Sequence, residues 1–334
     1  MSIDSRQLTV ILQGPLSEAG VDIATRAFQS VQQYLPQAQI ILSTTDSDAR
    51  PQIEGAQWVE GSSAPHFDDI NGNINNVNKL ITTMANGLAL AEREYCLKLR
   101  TDHVLFSDVL LTLMGTDLPA QLFGACIGVS NLFLRNPTKL PYLFHLTDTL
   151  QFGRTEDLRK LWSIGTLPAD YVYLKKGPRT NPIGTFQGYT SFRLLPEQAI
   201  FLRFAQKNGL ALDLAHISHT TFRLFSAWED LLLDNFDVHD WKNLGVLPPA
   251  RFLSRPYAPE SVMTERDVRR MRAHRSCWSK ALRYAQLLLN KYVLCGFRRR
   301  WLVSAASLLL FSFAPEKAIT ARNLYRRLTG AQRV

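Results

Sequence analysis

Glu94-Tyr95-Cys96-Leu97-Lys98-Leu99-Arg100-Thr101-Asp102-His103-Val104-Leu105-Phe106 divides into two parts of different character. The first alternates and then runs apolar, the pattern of a strand buried in a mostly parallel sheet. The second sets Arg100, Thr101 and Asp102 where that strand ends. Open α/β sheets keep their ligands at the carboxyl ends of their strands, so this triplet marks a candidate site. A carboxylate there can hold a hard divalent cation, Mg or Mn, and such a cation can neutralise a leaving diphosphate. Asp102 is therefore a candidate catalytic residue and metal ligand. The same residue also suits a surface Asp that caps the following segment.

Upstream, Leu8-Thr9-Val10-Ile11-Leu12 is a strand delivered into the turn Gln13-Gly14-Pro15. Such a turn presents backbone N–H groups at the sheet edge, a setting for a nucleotide base or ribose. A helix is predicted over 23–35, with Ala27, Val31 and Leu35 on one face and Pro36 at its end. A second buried strand, 39–46, closes on Thr44 and Asp46. Asp46 reads chiefly as a solvated turn residue beside Ser47 and Asp48, with a ribose hydroxyl contact as the alternative. After a short strand near Trp58, the residues Val77, Leu80, Ile81, Met84, Leu88 and Ala91 recur at helical spacing. Strands and helices thus alternate up to the first stretch, which predicts a doubly wound α/β domain with right-handed crossovers. Neither a Walker lysine motif nor G-x-G-x-x-G occurs, which argues against ordinary P-loop and dinucleotide binding.

Downstream, 123–129 reads as another core strand, and Pro137, Pro141, Pro168, Pro178 and Pro182 punctuate irregular segments. Asp148 lies among apolar residues before Gly153, either at the mouth of the sheet or as a helix N-cap. Glu197 follows Pro196 at the start of an apolar helix. It is a candidate general base, since proton removal from an acceptor hydroxyl falls to Asp, Glu or His. The position equally suits a plain first-turn acid. His216 and His219 lack a third ligand for zinc and read chiefly as polar core residues, with a cation site alongside Asp102 as the alternative. The acidic stretch around Glu229, Asp230 and Asp234 reads as a solvated helix face.

Composition sets the frame: 46% hydrophobic and 20% charged residues describe a globular chain, and 334 residues suffice for a full core. Cys96, Cys126, Cys277 and Cys295 are too scattered for a zinc site or disulfide framework, which fits a reducing compartment. The opening residues carry no basic-then-apolar signal, so a cytoplasmic protein is predicted. The net charge of +9 is uneven: residues 265–334 hold sixteen Lys or Arg against three acids, which leaves residues 1–264 at −4. Val268, Met271, Trp278, Leu282, Ala285, Leu289 and Tyr292 fall at helical spacing among these basic residues. Arg298-Arg299-Arg300 then precedes an apolar run over 301–314, short of the ~20 residues of a membrane span. An interfacial segment on an anionic membrane surface is predicted, with a helical hairpin packed on the domain as the alternative. No recognition motif for nucleic acid accompanies the charge.

Val10-Ile11-Leu12-Gln13-Gly14-Pro15, Tyr34-Leu35-Pro36, Ile41-Leu42-Ser43-Thr44, Asn78-Lys79 with Gly87-Leu88, and Leu97-Lys98-Leu99-Arg100-Thr101-Asp102 form an ordered series. It continues in Phe144-His145-Leu146-Thr147-Asp148, Phe152-Gly153-Arg154-Thr155-Glu156-Asp157-Leu158 and Leu195-Pro196-Glu197-Gln198. This series, over about 8–240, resembles the WavE family of bacterial lipopolysaccharide synthesis proteins. The resemblance implies a glycosyltransferase acting on lipopolysaccharide core, O antigen or a related surface glycan. Glycosyltransferases of the GT-A fold place Asp-x-Asp at a strand end, and Arg100-Thr101-Asp102 retains half of it. Where an Arg-Gln pair is expected after Asn78, this chain has Lys79-Leu80, and lysine lacks the bidentate fork for phosphate.

The expectation is a GT-A-like α/β fold, an open, mostly parallel twisted sheet flanked by helices, with a basic helical C-terminal segment. Residues 1–106 would bind a nucleotide-sugar donor, 107–263 the acceptor, and 264–334 the membrane. Gln13, Gly14, Pro15, Thr44, Asp46, Asn78, Lys79, Arg100 and Thr101 would contact donor, and Glu197, Asp148 and Asp102 would be catalytic. The acceptor would be a lipid-linked or lipid A-linked glycan at the inner membrane's cytoplasmic face. The other class is a non-catalytic protein holding an anionic membrane or nucleic acid through its basic segment.

Overall fold

Leu8–Gln13 (β1) is buried along its whole length, as a central strand must be when helices cover both faces of a parallel sheet. Its side chains alternate between two cores, with Leu8, Val10 and Leu12 in one and Ile11 in the other. Gln39–Thr44 (β2), Gln57–Glu60 (β3), Tyr95–Arg100 (β4), Ile127–Ser130 (β5), Leu150–Arg154 (β6) and Phe236–His239 (β7) complete a seven-stranded sheet ordered β7-β5-β6-β4-β1-β2-β3. β1 pairs in parallel with β2 and β4, β2 with β3, and β5 with β7, while β6 runs antiparallel between β4 and β5. This is the GT-A-like, mostly parallel α/β arrangement predicted above. The computed structural model describes residues 2–45, 53–61, 64, 66–69, 74–174, 179–180, 189–253, 259–297, 302, 306, 309–311 and 313–328.

The helices sort by face. Ile23–Tyr34 (α1), capped by Asp22 accepting from the Thr25 N–H at 2.9 Å, puts Ala24, Ala27, Phe28 and Val31 against Leu8, Val10 and Leu12. Val77–Leu90 (α2) puts Val77, Ile81, Met84 and Leu88 on the opposite face. A Cβ at Gly87 would stand 2.7 Å from the Ile11 side chain, so α2 rests directly on β1. Thr155–Trp162 (α3), Pro196–Lys207 (α4) and Phe222–Asn235 (α5) add to that second core. Fully burying a large apolar side chain stabilises by about 1.5–3 kcal/mol. The exposed Arg159–Glu156 pair on α3 belongs to a class worth about 0–1 kcal/mol, so packing dominates.

Glu265–Ala273 (α6) and Cys277–Tyr292 (α7) follow, and their Val268, Met271 and Leu287 enter the same core as α2. The acidic stretch is only partly the solvated face expected of it. Glu229 is fully buried and receives Arg283 at 2.7 Å, Asp230 receives Lys280 at 2.6 Å, and Asp234 receives Arg275 at 2.6 Å. Burial of the Glu229 carboxylate is tolerated because Arg283 meets it, while Asp230 and Asp234 are half-buried beside their basic partners. Phe222 and Phe225 pack their rings on Tyr284, each at 5.6 Å. Pro315–Leu328 (α8) ends the described chain. Arg298, Arg299, Arg300 and Trp301 lie outside the described residues. Among the described residues, no helix is long and apolar enough to cross a membrane.

Candidate active site

The carboxyl end of β4 is laced to the turn after β1. The Thr101 N–H donates to the Gln13 carbonyl at 3.1 Å, and the Thr101 hydroxyl donates to the Pro15 carbonyl at 2.7 Å. Gly14 sits at φ +145, where a Cβ would meet Thr101 Oγ1 at 2.5 Å, so the two segments close up only around glycine. Gln13 turns onto α2, its Nε2 donating to the Leu80 carbonyl at 2.7 Å and to Thr83 at 2.6 Å. Pro15 is exposed beside it, and Thr44 is buried at the end of β2. Asn78 exchanges two hydrogen bonds with the Leu167 backbone, at 2.9 and 2.7 Å, and so ties α2 to the segment before α4. Lys79 is half-buried on the first turn of α2, and Asp46 lies outside the described residues.

Asp102 is not a surface cap, because its side chain is only 2% exposed. Arg100 grips it with two bonds, Nε to Oδ1 at 3.0 Å and Nη2 to Oδ2 at 2.9 Å. His103 Nδ1 lies 2.7 Å from Oδ1, and Arg251 reaches Oδ2 from far along the chain while also pairing with Glu18. Burial alone would raise the Asp102 pKa. The His103 hydrogen bond and the Arg100 charge outweigh it and hold the carboxyl well below the usual range. Phe252 lies under both arginines, its ring centre 5.5 Å from the Arg100 guanidinium and 5.2 Å from that of Arg251.

The divalent cation expected at Asp102 does not suit this carboxylate. Its two oxygens are already engaged by two guanidinium groups and an imidazole, and an added cation would face both positive charges. Among the described residues, no group of three or more His, Cys, Asp or Glu side chains is placed to share an ion. His216 and His219 pack ring to ring at 5.7 Å, with His219 Nδ1 accepting the Ala215 N–H at 3.1 Å.

Asp148 and Glu197 come from distant parts of the chain into this neighbourhood. Asp148 precedes strand β6 rather than a helix, which removes the N-cap reading. Its carbonyl accepts from Lys98, a fully buried lysine on β4 that also lies 5.5 Å from the Trp162 ring centre. Burial lowers the Lys98 ammonium to about 8, against the pull of the Asp148 and Asp102 charges. Glu197 occupies the first turn of α4, behind Pro196. Gln198 fixes that turn: its Oε1 accepts the Leu195 N–H at 3.3 Å, and its Nε2 donates to the carbonyls of Leu143 at 2.8 Å and Ile217 at 2.9 Å.

Burial pushes the Glu197 carboxyl up to about 8, with Asp148 adding to the rise and Arg135 and Arg100 opposing it. The side chain keeps a 13% opening to solvent, and its Oε2 lies 3.6 Å from Nε2 of His145. Burial and the Arg135 charge drive His145 well below its ordinary value, so it stays neutral. Phe133 and Phe144, next to Arg135 and His145, hold φ of +70 and +56. Such backbone costs about 1–3 kcal/mol per residue and is retained where geometry matters. Lys98 and Glu197 both feel the charges of Asp148 and Arg100, which places these four residues in one electrostatic neighbourhood.

A family model described as WavE lipopolysaccharide synthesis matches residues 8–299, a span that includes every residue of this cluster. The chain belongs to the WavE lipopolysaccharide synthesis family. The WavE match runs past the acidic helix and through α6 and α7, and it stops before α8. No curated protein matches the chain. Among solved structures, 4-diphosphocytidyl-2C-methyl-D-erythritol synthase from Anaerococcus prevotii DSM 20548 shares 10% identity over 48% of this chain and 75% of its own, with TM-score 0.30. A cytidylyltransferase from Leptospira borgpetersenii shares 15% over 48% and 66%, also with TM-score 0.30. The catalytic domain of Drosophila beta1,4-galactosyltransferase 7 shares 10% over 46% and 51%, with TM-score 0.26. At these scores the likenesses carry no functional weight.

Proposed function

We propose that this WavE protein moves a sugar from a nucleotide-sugar donor to a lipopolysaccharide core, O-antigen or related surface-glycan acceptor. The observation that carries the reading is Glu197, a carboxyl raised to about 8 by burial and by Asp148, within reach of the Arg135 and Arg100 charges. A carboxyl tuned toward neutrality can take a proton and give it up at working pH. The acceptor hydroxyl loses its proton to Glu197 as its oxygen bonds to the anomeric carbon, and the bond to the diphosphate breaks. Asp148 raises the basicity of Glu197, and a neutral His145 stands 3.6 Å from it. The carbonyls of Gln13 and Pro15, with Thr44 and Asp46, hold the nucleoside, since the Gly14 N–H is taken by the Ser43 carbonyl at 3.3 Å, and Lys79 and Arg100 face its phosphates. Asn78, bonded to the Leu167 backbone, and Thr101, bonded to the Pro15 carbonyl, brace this end of the sheet behind the donor. The test is sugar transfer by purified protein from a panel of nucleotide sugars, together with the glycan composition of a strain lacking the protein.

The acceptor in this reading is lipid-linked or lipid A-linked, and the protein sits peripherally on the inner membrane's cytoplasmic face. Support comes from α7, whose Trp278, Leu282, Leu289 and Tyr292 are each at least half exposed on one helical face. Arg275, Lys280 and Arg283 are occupied by acids of α5, so the apolar face contributes more to attachment than the net charge suggests. Sedimentation with anionic vesicles is expected to pull the protein down at low salt. Raising salt should release only part of it, because burial of apolar area is not screened. Protein that stays in the supernatant at low salt contradicts this placement.

A further inference from the structure

We propose that Arg100 and Arg251 form a metal-free clamp for the donor's diphosphate, preorganised by Asp102 and Phe252. The proposal rests on the nucleotide-sugar reading and names what does the work that a cation does in a two-carboxylate site. Arg100 stands at the end of β4 and Arg251 comes from the Ala250–Leu253 turn, yet both guanidiniums converge on one carboxylate. Their side chains are 21% and 23% exposed, so each keeps surface open to a ligand while paired with Asp102. Asp102, nearly out of water, offsets one of the two charges in the resting site and holds both planes in place. Phe252 fixes the guanidiniums against its ring and is itself held edge-on by Phe133, ring centres 5.9 Å apart.

Guanidinium forks match phosphate oxygens two bonds at a time and stay charged at any working pH. When the bond between the anomeric carbon and the diphosphate oxygen breaks, its electron pair stays on that oxygen. The N–H groups of the clamp receive the developing charge by hydrogen bonding, and no proton leaves the arginines. Glu18, which pairs with Arg251 from the Ser17–Glu18 strand of a hairpin, is the contact that arriving phosphate would loosen.

Calorimetric titration of the full chain with inorganic pyrophosphate, UDP, GDP, ADP and CDP tests the clamp, first with excess EDTA and then with Mg or Mn. The clamp predicts that the best of these probes binds in EDTA within about threefold of its affinity with metal. Arg251→Gln and Arg100→Gln should each weaken it about tenfold or more, with Arg251→Lys between wild type and Arg251→Gln because lysine keeps charge without the fork. Thermal melting of each variant separates lost binding from lost folding, and the EDTA comparison on wild type needs no variant. Binding only in the presence of metal would overturn the clamp and leave the sugar-transfer reading standing. No binding of any probe under either condition would overturn both.

Discussion

Glu197→Gln is expected to slow sugar transfer about 100-fold or more, with donor affinity nearly unchanged, because the change removes a proton acceptor and keeps the shape. The pH profile carries the sharper signature. Burial, reinforced by Asp148, raises the Glu197 carboxyl to about 8, and a base works only when ionised. Wild-type turnover should therefore climb with pH and level off above about 8, and the residual rate of the Gln variant should lose that limb. Asp148→Asn removes a like charge and should shift the limb to lower pH. The stability effect runs the other way. A raised folded pKa adds stability that is complete below about pH 4.3 and is lost as pH rises through about 8, so the Gln variant should be the more stable protein in alkaline buffer. Near-normal turnover in Glu197→Gln, with loss in Asp148→Asn, would exchange the two roles.

Asp102→Asn is expected to cost both fold and function. Breaking a buried ion pair from one side typically costs about 3–5 kcal/mol, because the partner is left uncompensated. The lower end applies here, since Arg100 and Arg251 keep 21% and 23% exposure and can hydrate. Urea unfolding at pH 7 measures the loss. Burial opposes ionisation of Asp102, but His103 and Arg100 depress its pKa far more. Its stabilisation is thus present above the unfolded value of about 3.9 and is lost as pH falls further. The difference between wild type and variant should be full at neutral pH and shrink below about pH 4. Equal stability at pH 7 would mean that Asp102 does not organise its surroundings.

The sheet was legible because its strands are apolar on both faces. Leu8–Gln13 and Tyr95–Arg100 read as buried strands for the same reason that they pack into two cores. The boundary near residue 123 was harder, since Phe123 packs as core while the strand starts only at Ile127. At the site, one local signal stood in the sequence unused. Lys98 is an ionisable residue inside an apolar strand, and such residues are rarely buried without a task. His145 was present in the family-like series without a role. Arg251 had no signal at all, for it meets Asp102 across 149 positions, and only the folded chain brings them together. The C-terminal helices hid long-range partners of another kind. Their arginines read as a membrane-facing charge, whereas Arg275 and Arg283 are matched to Asp234 and Glu229.

The most direct test of the account is transfer itself. Purified protein is incubated with lipid-linked or lipid A-linked glycan and each of a panel of nucleotide sugars, and acceptor mass is followed alongside released nucleotide. One donor is expected to give a mass increase of one sugar residue with equal release of its nucleotide, and Glu197→Gln is expected to suppress both together. Donor binding with no transfer or release beyond that of the Gln variant, across the whole panel, would contradict it.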